Sequence, residues 1–88
     1  MTREEIFDLV RSHLADELEL DPSQIALETR FKEDLEADSL DLYQLVLELE
    51  DSYGVKIPDQ DAVKILTVGQ AVDYVYEHAS EARLPADS

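Results

Sequence analysis

Few residues of this chain could do chemistry, and most of their candidate arrangements fail on spacing. Ser39 lies in the acidic run Glu36-Ala37-Asp38-Ser39-Leu40-Asp41. Its hydroxyl could act as a nucleophile or serve as a point of attachment. A strained nucleophile turn needs G-x-S-x-G, and no glycine flanks Ser39. His13 and His78 fall on different predicted helices near no obvious partner, so each reads as a helix-surface or boundary residue. Asp34, Glu36 and Asp38 would occupy positions one, three and five of a calcium-binding loop. The sixth position, however, is Ser39 where glycine is required, and the twelfth is Leu45 where a bidentate Glu belongs. The acidic clusters are therefore expected to gather divalent cations only diffusely, with no defined metal site. The chain has no cysteine, which removes thiol nucleophiles, thiolate metal sites and disulfides. With two glycines it has no phosphate-cradling loop. No catalytic constellation survives, and an isolated, positioned hydroxyl does.

Size and charge point the same way. A chain of 88 residues makes one domain with a single small core, too little to enclose a deep catalytic cleft. A binding or carrier module fits better than an enzyme. At 44% hydrophobic residues the chain is too apolar for a disordered acidic tail. Its 22 Asp and Glu against 7 Lys and Arg give a net charge of −15. That field repels nucleic-acid phosphates and anionic membranes and attracts basic protein surfaces. No apolar run approaches the ~18 residues that span a bilayer. The N-terminal stretch has no signal-peptide h-region, and the expected location is cytoplasmic.

The elements that must position Ser39 are helical. Thr2 and Glu5 form a capping box, and Ile6, Val10, Leu14 and Leu18 repeat at helical spacing, with Phe7 and Leu9 beside them. A first helix is expected from Thr2 to about Leu18. Asp21-Pro22-Ser23 marks a turn in a long connection from Leu20 to Asp38, pinned by Ile25, Leu27, Phe31 and Leu35. A second helix is expected from about Ser39 to Tyr53, capped by Asp38 or Ser39 and stopped by Gly54. Pro58 keeps the residue before it extended, so Val55 to Pro58 reads as a connector. A short third helix, Asp59 to Ile65, is expected with Asp59 as its cap. Thr67 and Gln70 form a second capping box ahead of the apolar stripe Val68, Ala71, Val72, Val75 and Ala79. The tail from Glu81 to Ser88 is expected to fray. The sum is an all-α, four-helix bundle with three main helices and one short helix, its domain covering residues 1–80.

The second helix is apolar on two sides. At about 100° per residue, Leu45, Val46, Leu49 and Tyr53 fall within about 60° of Leu42 and make an ordinary core stripe. Leu40, Tyr43 and Leu47 form a second stripe at about 100° to 160° from Leu42, bordered by Asp41, Glu48, Glu50 and Asp51. Either the connection from Leu20 to Asp38 covers this stripe, or it is a partner surface with an acidic rim.

The run Phe31-x-x-Asp34-Leu35-x-Ala37-Asp38-Ser39-Leu40-Asp41 resembles the prosthetic-group attachment region of acyl carrier proteins. Leu45, Leu49-Glu50, Ile57-Pro58, Lys64-Ile65-x-Thr67-Val68 and Ala71-Val72-Asp73-Tyr74 extend the resemblance over nearly the whole chain. It implies that a phosphopantetheinyl transferase uses Mg²⁺ to move 4'-phosphopantetheine from coenzyme A onto the Ser39 hydroxyl. The terminal thiol then carries acyl chains as thioesters between enzymes of fatty-acid synthesis. The partner surface it implies comprises Asp38, Leu40, Asp41, Tyr43, Leu47, Glu50, Asp51, Ile57 and Ala62, facing acyl-processing enzymes with basic docking surfaces. A monomer with no catalytic residues of its own is implied as well. Leu42, Val46, Leu49, Ile57, Ile65 and Val68 would either line a cavity for the acyl cargo or serve only as core. Three positions depart from the family's habit: Glu36 stands where many members have glycine, Gln44 where an acid is common, and Tyr43 where a smaller apolar residue is usual. A carrier for polyketide, aminoacyl or other specialised assembly, or an acidic adaptor without a cofactor, is the alternative.

Overall fold

The hydroxyl of Thr2 accepts the Glu5 N–H at 3.2 Å, and this starts the first helix, α1 (Arg3–Leu18). Ile6, Val10 and Leu14, one turn apart, are fully buried along one side. Leu18 and the flanking Phe7 and Leu9 pack against the same core from its margin. Glu19 ends the helix in the left-handed region (φ 56°) and returns its N–H to the Ala15 carbonyl. The computed structural model describes residues 2–87, and side chains as far as Ala79.

The connection after α1 is pinned much as its apolar spacing predicts. A 3-10 turn (Pro22–Gln24) is capped by Asp21, whose carboxylate accepts both the N–H and the hydroxyl of Ser23 at 2.9 Å. Ile25 and Phe31 are buried, and Leu35 packs on the core from the margin. Leu27 departs from expectation, because 47% of it is exposed. It anchors the loop through its backbone instead: its carbonyl accepts the Gly69 N–H at 2.7 Å. A Cβ at Gly69 would sit 3.0 Å from that oxygen, so the close approach depends on glycine. Two more bonds, Phe31 N–H to Leu66 O at 3.1 Å and Val68 N–H to Thr29 O at 3.0 Å, flank an isolated antiparallel bridge between Arg30 and Thr67.

The second helix, α2 (Ser39–Tyr53), stops at Gly54 (φ 65°), whose N–H bonds Glu50 O. The third, α3 (Asp59–Ala62), is shorter than its pattern suggests. Pro58, not Asp59, occupies the cap position and offers no side-chain bond. Beyond Ala62 the chain tightens into three-residue turns, Lys64 N–H to Asp61 O and Ile65 N–H to Ala62 O. The last helix, α4 (Val68–Asp87), begins with the expected capping box. Gln70 N–H donates to the Thr67 hydroxyl at 3.2 Å, and Thr67 N–H donates to the Gln70 side-chain carbonyl at 3.1 Å. The fraying expected from Glu81 to Ser88 is not what the backbone shows, since α4 continues through residues 81–87, and Ser88 lies outside the described residues.

The core is one cluster. Ala71, Val72, Val75 and Ala79 of α4 meet Ile6, Val10 and Leu14 of α1, and Leu45 and Leu49 of α2 close the third side. The three long helices pack on one another, with the α1–α4 contact the most extensive, while α3 packs on no helix to a comparable degree. No helix among the described residues is long and apolar enough to cross a membrane.

Candidate attachment site and partner face

The site is assembled from the loop upward. The Asp34 carboxylate accepts the Arg30 backbone N–H at 2.8 Å and the Arg30 guanidinium at 3.3 Å, locking the turn from Arg30 to Leu35. The backbone bond, then the guanidinium bond, hold its carboxyl below the usual carboxylate range. Phe31 is buried to 1% exposure, and its carbonyl accepts the Ala37 N–H at 2.9 Å. Ala37 is buried, so the chain enters α2 from a fixed point.

Between these anchors Glu36 adopts φ 55°, a left-handed conformation that a residue with a Cβ occupies at a cost. This gives a physical meaning to the resemblance's preference for glycine at this position. Glu36→Gly is expected to relieve about 1–2 kcal/mol of strain, offset by about 0.4–1 kcal/mol of added freedom in the unfolded chain. A net gain of about 1 kcal/mol corresponds to a melting temperature higher by roughly 4–8 °C in a domain of this size. A lower melting temperature would contradict the strain at Glu36.

At the helix start the two capping candidates divide the work. Asp38 is the cap: its carboxylate accepts the Asp41 N–H at 3.0 Å, and the Asp41 carboxylate accepts the Asp38 N–H at 3.1 Å. Ser39 is the first residue of α2 and is exposed. Because Asp38 does the capping, the Ser39 hydroxyl is not needed for it.

Ser39 stands in the wall of an apolar cleft of about 350 Å³ between α2, α3 and the loop that carries Phe31. Leu42, Val46, Leu49, Ile57 and Ile65 line it, the arrangement that the resemblance implied. Val68, the sixth candidate, is fully buried in the core, and Ala71 lines the cleft one turn further on. Sequence reasoning missed Val63 and Leu66 as wall residues, which lie between α3 and α4 outside either helix and carry no periodic signal.

The second stripe of α2 is uncovered. Leu40 is 64% exposed, Tyr43 55% and Leu47 41%, so the long connection does not cover them. Val63 and Leu66 extend this apolar surface from beyond α3. Asp38 and Asp51 are exposed at its edges, and Ala62 is half-buried. Asp41 and Glu50 are half-buried because both carboxylates also serve the backbone, Asp41 at Asp38 and Glu50 at the Ile57 N–H (2.8 Å). Ile57 does not fit a role on an outer face. It is 5% exposed, pinned through its N–H and turned into the cleft.

Neither histidine lines the cleft, but both find neighbours that sequence did not reveal. His13 sits between α1 and α2 with Nδ1 4.0 Å from a Glu48 oxygen. His78 stacks on Tyr74 with ring centroids 3.8 Å apart, its Nδ1 2.9 Å from the Tyr74 carbonyl.

The described residues thus form a small helical domain that presents an exposed serine at the head of a helix, beside an apolar cleft. The family model described as "Phosphopantetheine attachment site" matches residues 8–75. The acyl carrier protein of Rubrobacter xylanophilus is 54% identical over 78 residues, covering 89% of this chain and 96% of that protein. The acyl carrier protein of Lactobacillus acidophilus is 47% identical over 78 residues, covering 89% of this chain and 98% of the other. A solved structure of the acyl carrier protein from Enterococcus faecalis superposes with a TM-score of 0.77 at 42% identity, over 89% of this chain and 99% of that one. The chain belongs to the acyl carrier protein family, and its prosthetic group is a covalently attached 4'-phosphopantetheine. The specialised-assembly and adaptor alternatives are not favoured by these relatives.

Proposed function

We propose that Ser39 carries the 4'-phosphopantetheine arm, and that α2 and the segment after it form the docking face for the transferase and the fatty-acid-synthesis enzymes. The observation that supports this most is the exposed Ser39 at the head of α2, in the wall of a cleft lined by aliphatic side chains. Attachment requires the Ser39 oxygen to give up its proton and bond to phosphorus, displacing adenosine bisphosphate from coenzyme A. The bound arm supplies a thiol that holds an acyl chain as a thioester. The chain's own residues fix Ser39 on a rigid helix start, leave its hydroxyl accessible and offer an apolar shelter beside it. A flexible arm on a small body raises the effective concentration of its cargo at each docked enzyme. Reaction chemistry belongs to those enzymes, and the protein is a carrier that acts as a monomer in the cytoplasm. The carrier unit is residues 1–80, and the family match over residues 8–75 falls within it.

The test is intact mass after incubation with coenzyme A, Mg²⁺ and a broad-specificity transferase. A gain of roughly 340 Da on the folded chain supports the reading, and no gain sinks it.

For the docking face, the apolar stripe Leu40, Tyr43 and Leu47 with its acidic rim calls for partners offering an apolar pocket edged by Lys and Arg. Asp51 is the cleanest probe, because it is exposed and has no hydrogen bond or ion pair among the described residues, unlike Asp41 and Glu50. Asp51→Lys is expected to weaken transferase binding several-fold at low salt and to lose that effect at high salt, where screening removes it. Binding isotherms at two ionic strengths decide this, and an unchanged affinity at low salt would remove Asp51 from the face.

A further inference from the structure

We infer that Tyr74 sets how far the cleft beside Ser39 opens, by clasping α3 and the segment before it to α4, and so determines which acyl chain lengths are sheltered. The inference rests on the carrier reading above and adds a specificity-determining residue to it.

The wall that α3 provides needs external support. α3 has four residues, no side-chain bond at its N-terminal cap and no extensive packing on a long helix, yet Asp59, Ala62 and Val63 form one side of the cleft. Tyr74 supplies the support from behind. Its hydroxyl donates to an Asp61 carboxylate oxygen at 2.9 Å and lies 3.4 Å from the Lys56 carbonyl. One side chain of α4 thus holds Asp61, with the Lys56 carbonyl close to the same hydroxyl.

The grip is aimed. The Tyr74 ring lies flat on His78 at 3.8 Å with only 7° between the planes. The other tie on this stretch is the Glu50 carboxylate, which accepts the Ile57 N–H at 2.8 Å from the α2 side. Burial, and then the bond to Asp61, push the Tyr74 hydroxyl up to about 12, so it remains a neutral donor at any physiological pH. A saturated chain entering between Leu42, Val46 and Ala62 presses α3 outward against this latch. Short chains fit the cleft with the latch closed, and longer ones must break the Tyr74–Asp61 bond. Chain length and latch strength are thereby coupled.

Tyr74→Phe removes the hydroxyl and keeps the ring on His78. Wild type and variant are first converted to the arm-bearing form, and intact mass shows whether the arm is present. A failure there is a failure of the carrier reading and precedes any test of the latch. Both are then loaded with short, medium and long saturated acyl chains, and cleavage of the thioester by hydroxylamine is timed. In the wild type, protection is expected to peak at one chain length. In Tyr74→Phe that peak should move to longer chains, and the chain best protected in wild type should be cleaved roughly three- to tenfold faster, as expected from loss of one charge-assisted hydrogen bond in the wall. Asp61→Ala should reproduce the shift and serves as the test variant if Tyr74→Phe fails to fold. Asp61→Asn keeps an acceptor and should restore the wild-type profile. A purely structural role would lower the melting temperature and speed cleavage equally for all chain lengths. That result, or identical profiles in wild type and variants, would overturn the inference.

Discussion

Replacing Phe31 by alanine is expected to destabilise the protein by about 3–5 kcal/mol, the usual cost of removing a buried aromatic ring. Domains of this size have only about 5–15 kcal/mol in total, and a charge of −15 already works against compactness. Phe31 is buried although it lies in a connection, and its backbone makes two tertiary bonds: its N–H donates to Leu66 O at 3.1 Å and its carbonyl accepts Ala37 N–H at 2.9 Å. The ring is therefore the point at which the loop is fastened to the core six residues before Ala37. Urea denaturation measures the loss directly. Leu27→Ala is the control, because Leu27 contributes through its carbonyl to Gly69 and its side chain is largely exposed. That change should stay within about 1 kcal/mol. A Phe31→Ala protein within 1 kcal/mol of wild type would mean that the loop is not fastened there. Added salt should raise the stability of wild type and variants alike, since it screens the self-repulsion of the acidic chain.

How much of this was legible in the sequence varies with the interaction. Helical stripes were readable because burial follows a local period: Ile6, Val10 and Leu14 on α1, and Leu45 and Leu49 on α2, are buried where the pattern places them. The exposed stripe of Leu40, Tyr43 and Leu47 was readable as a stripe, but whether the loop covers it depended on the path of residues 20–38, which periodicity does not encode. Leu27 was misjudged for the same reason. Apolar identity suggests an anchor, whereas the anchor there is a carbonyl meeting a glycine N–H across 42 positions of sequence. Asp59 was a plausible cap, but Pro58, with its fixed φ, already supplies the helix entry. The burial of Ile57, held by a backbone bond to the Glu50 side chain, and the side-chain clasp between Tyr74 and Asp61 are tertiary contacts, and neither leaves a spacing signature. Glu36 sits between these cases: its departure from glycine was visible, and its positive φ gives the departure a physical meaning.

Ser39→Ala is expected to abolish modification while leaving the fold intact. Asp38, not Ser39, caps α2, and the Ser39 side chain has no hydrogen bond to another described residue. Truncating an exposed side chain without partners should change stability by no more than about 0.5 kcal/mol. Modification and stability are therefore separable at this position, which they would not be at Asp38, where loss of the cap costs about 1 kcal/mol. A variant that keeps its melting temperature and loses all modification isolates the chemistry of one hydroxyl. A variant that unfolds would instead mean that Ser39 has a structural role that its surroundings do not show.

The most direct measurement is fragment-ion mass spectrometry of the protein after treatment with coenzyme A, Mg²⁺ and transferase. The chain offers Ser12, Ser23, Ser52, Ser80 and Ser88 as competing hydroxyls on the same molecule. The increment of roughly 340 Da, the attached prosthetic group, is expected on Ser39 alone. An increment on another serine, or none on a folded protein, would contradict that expectation.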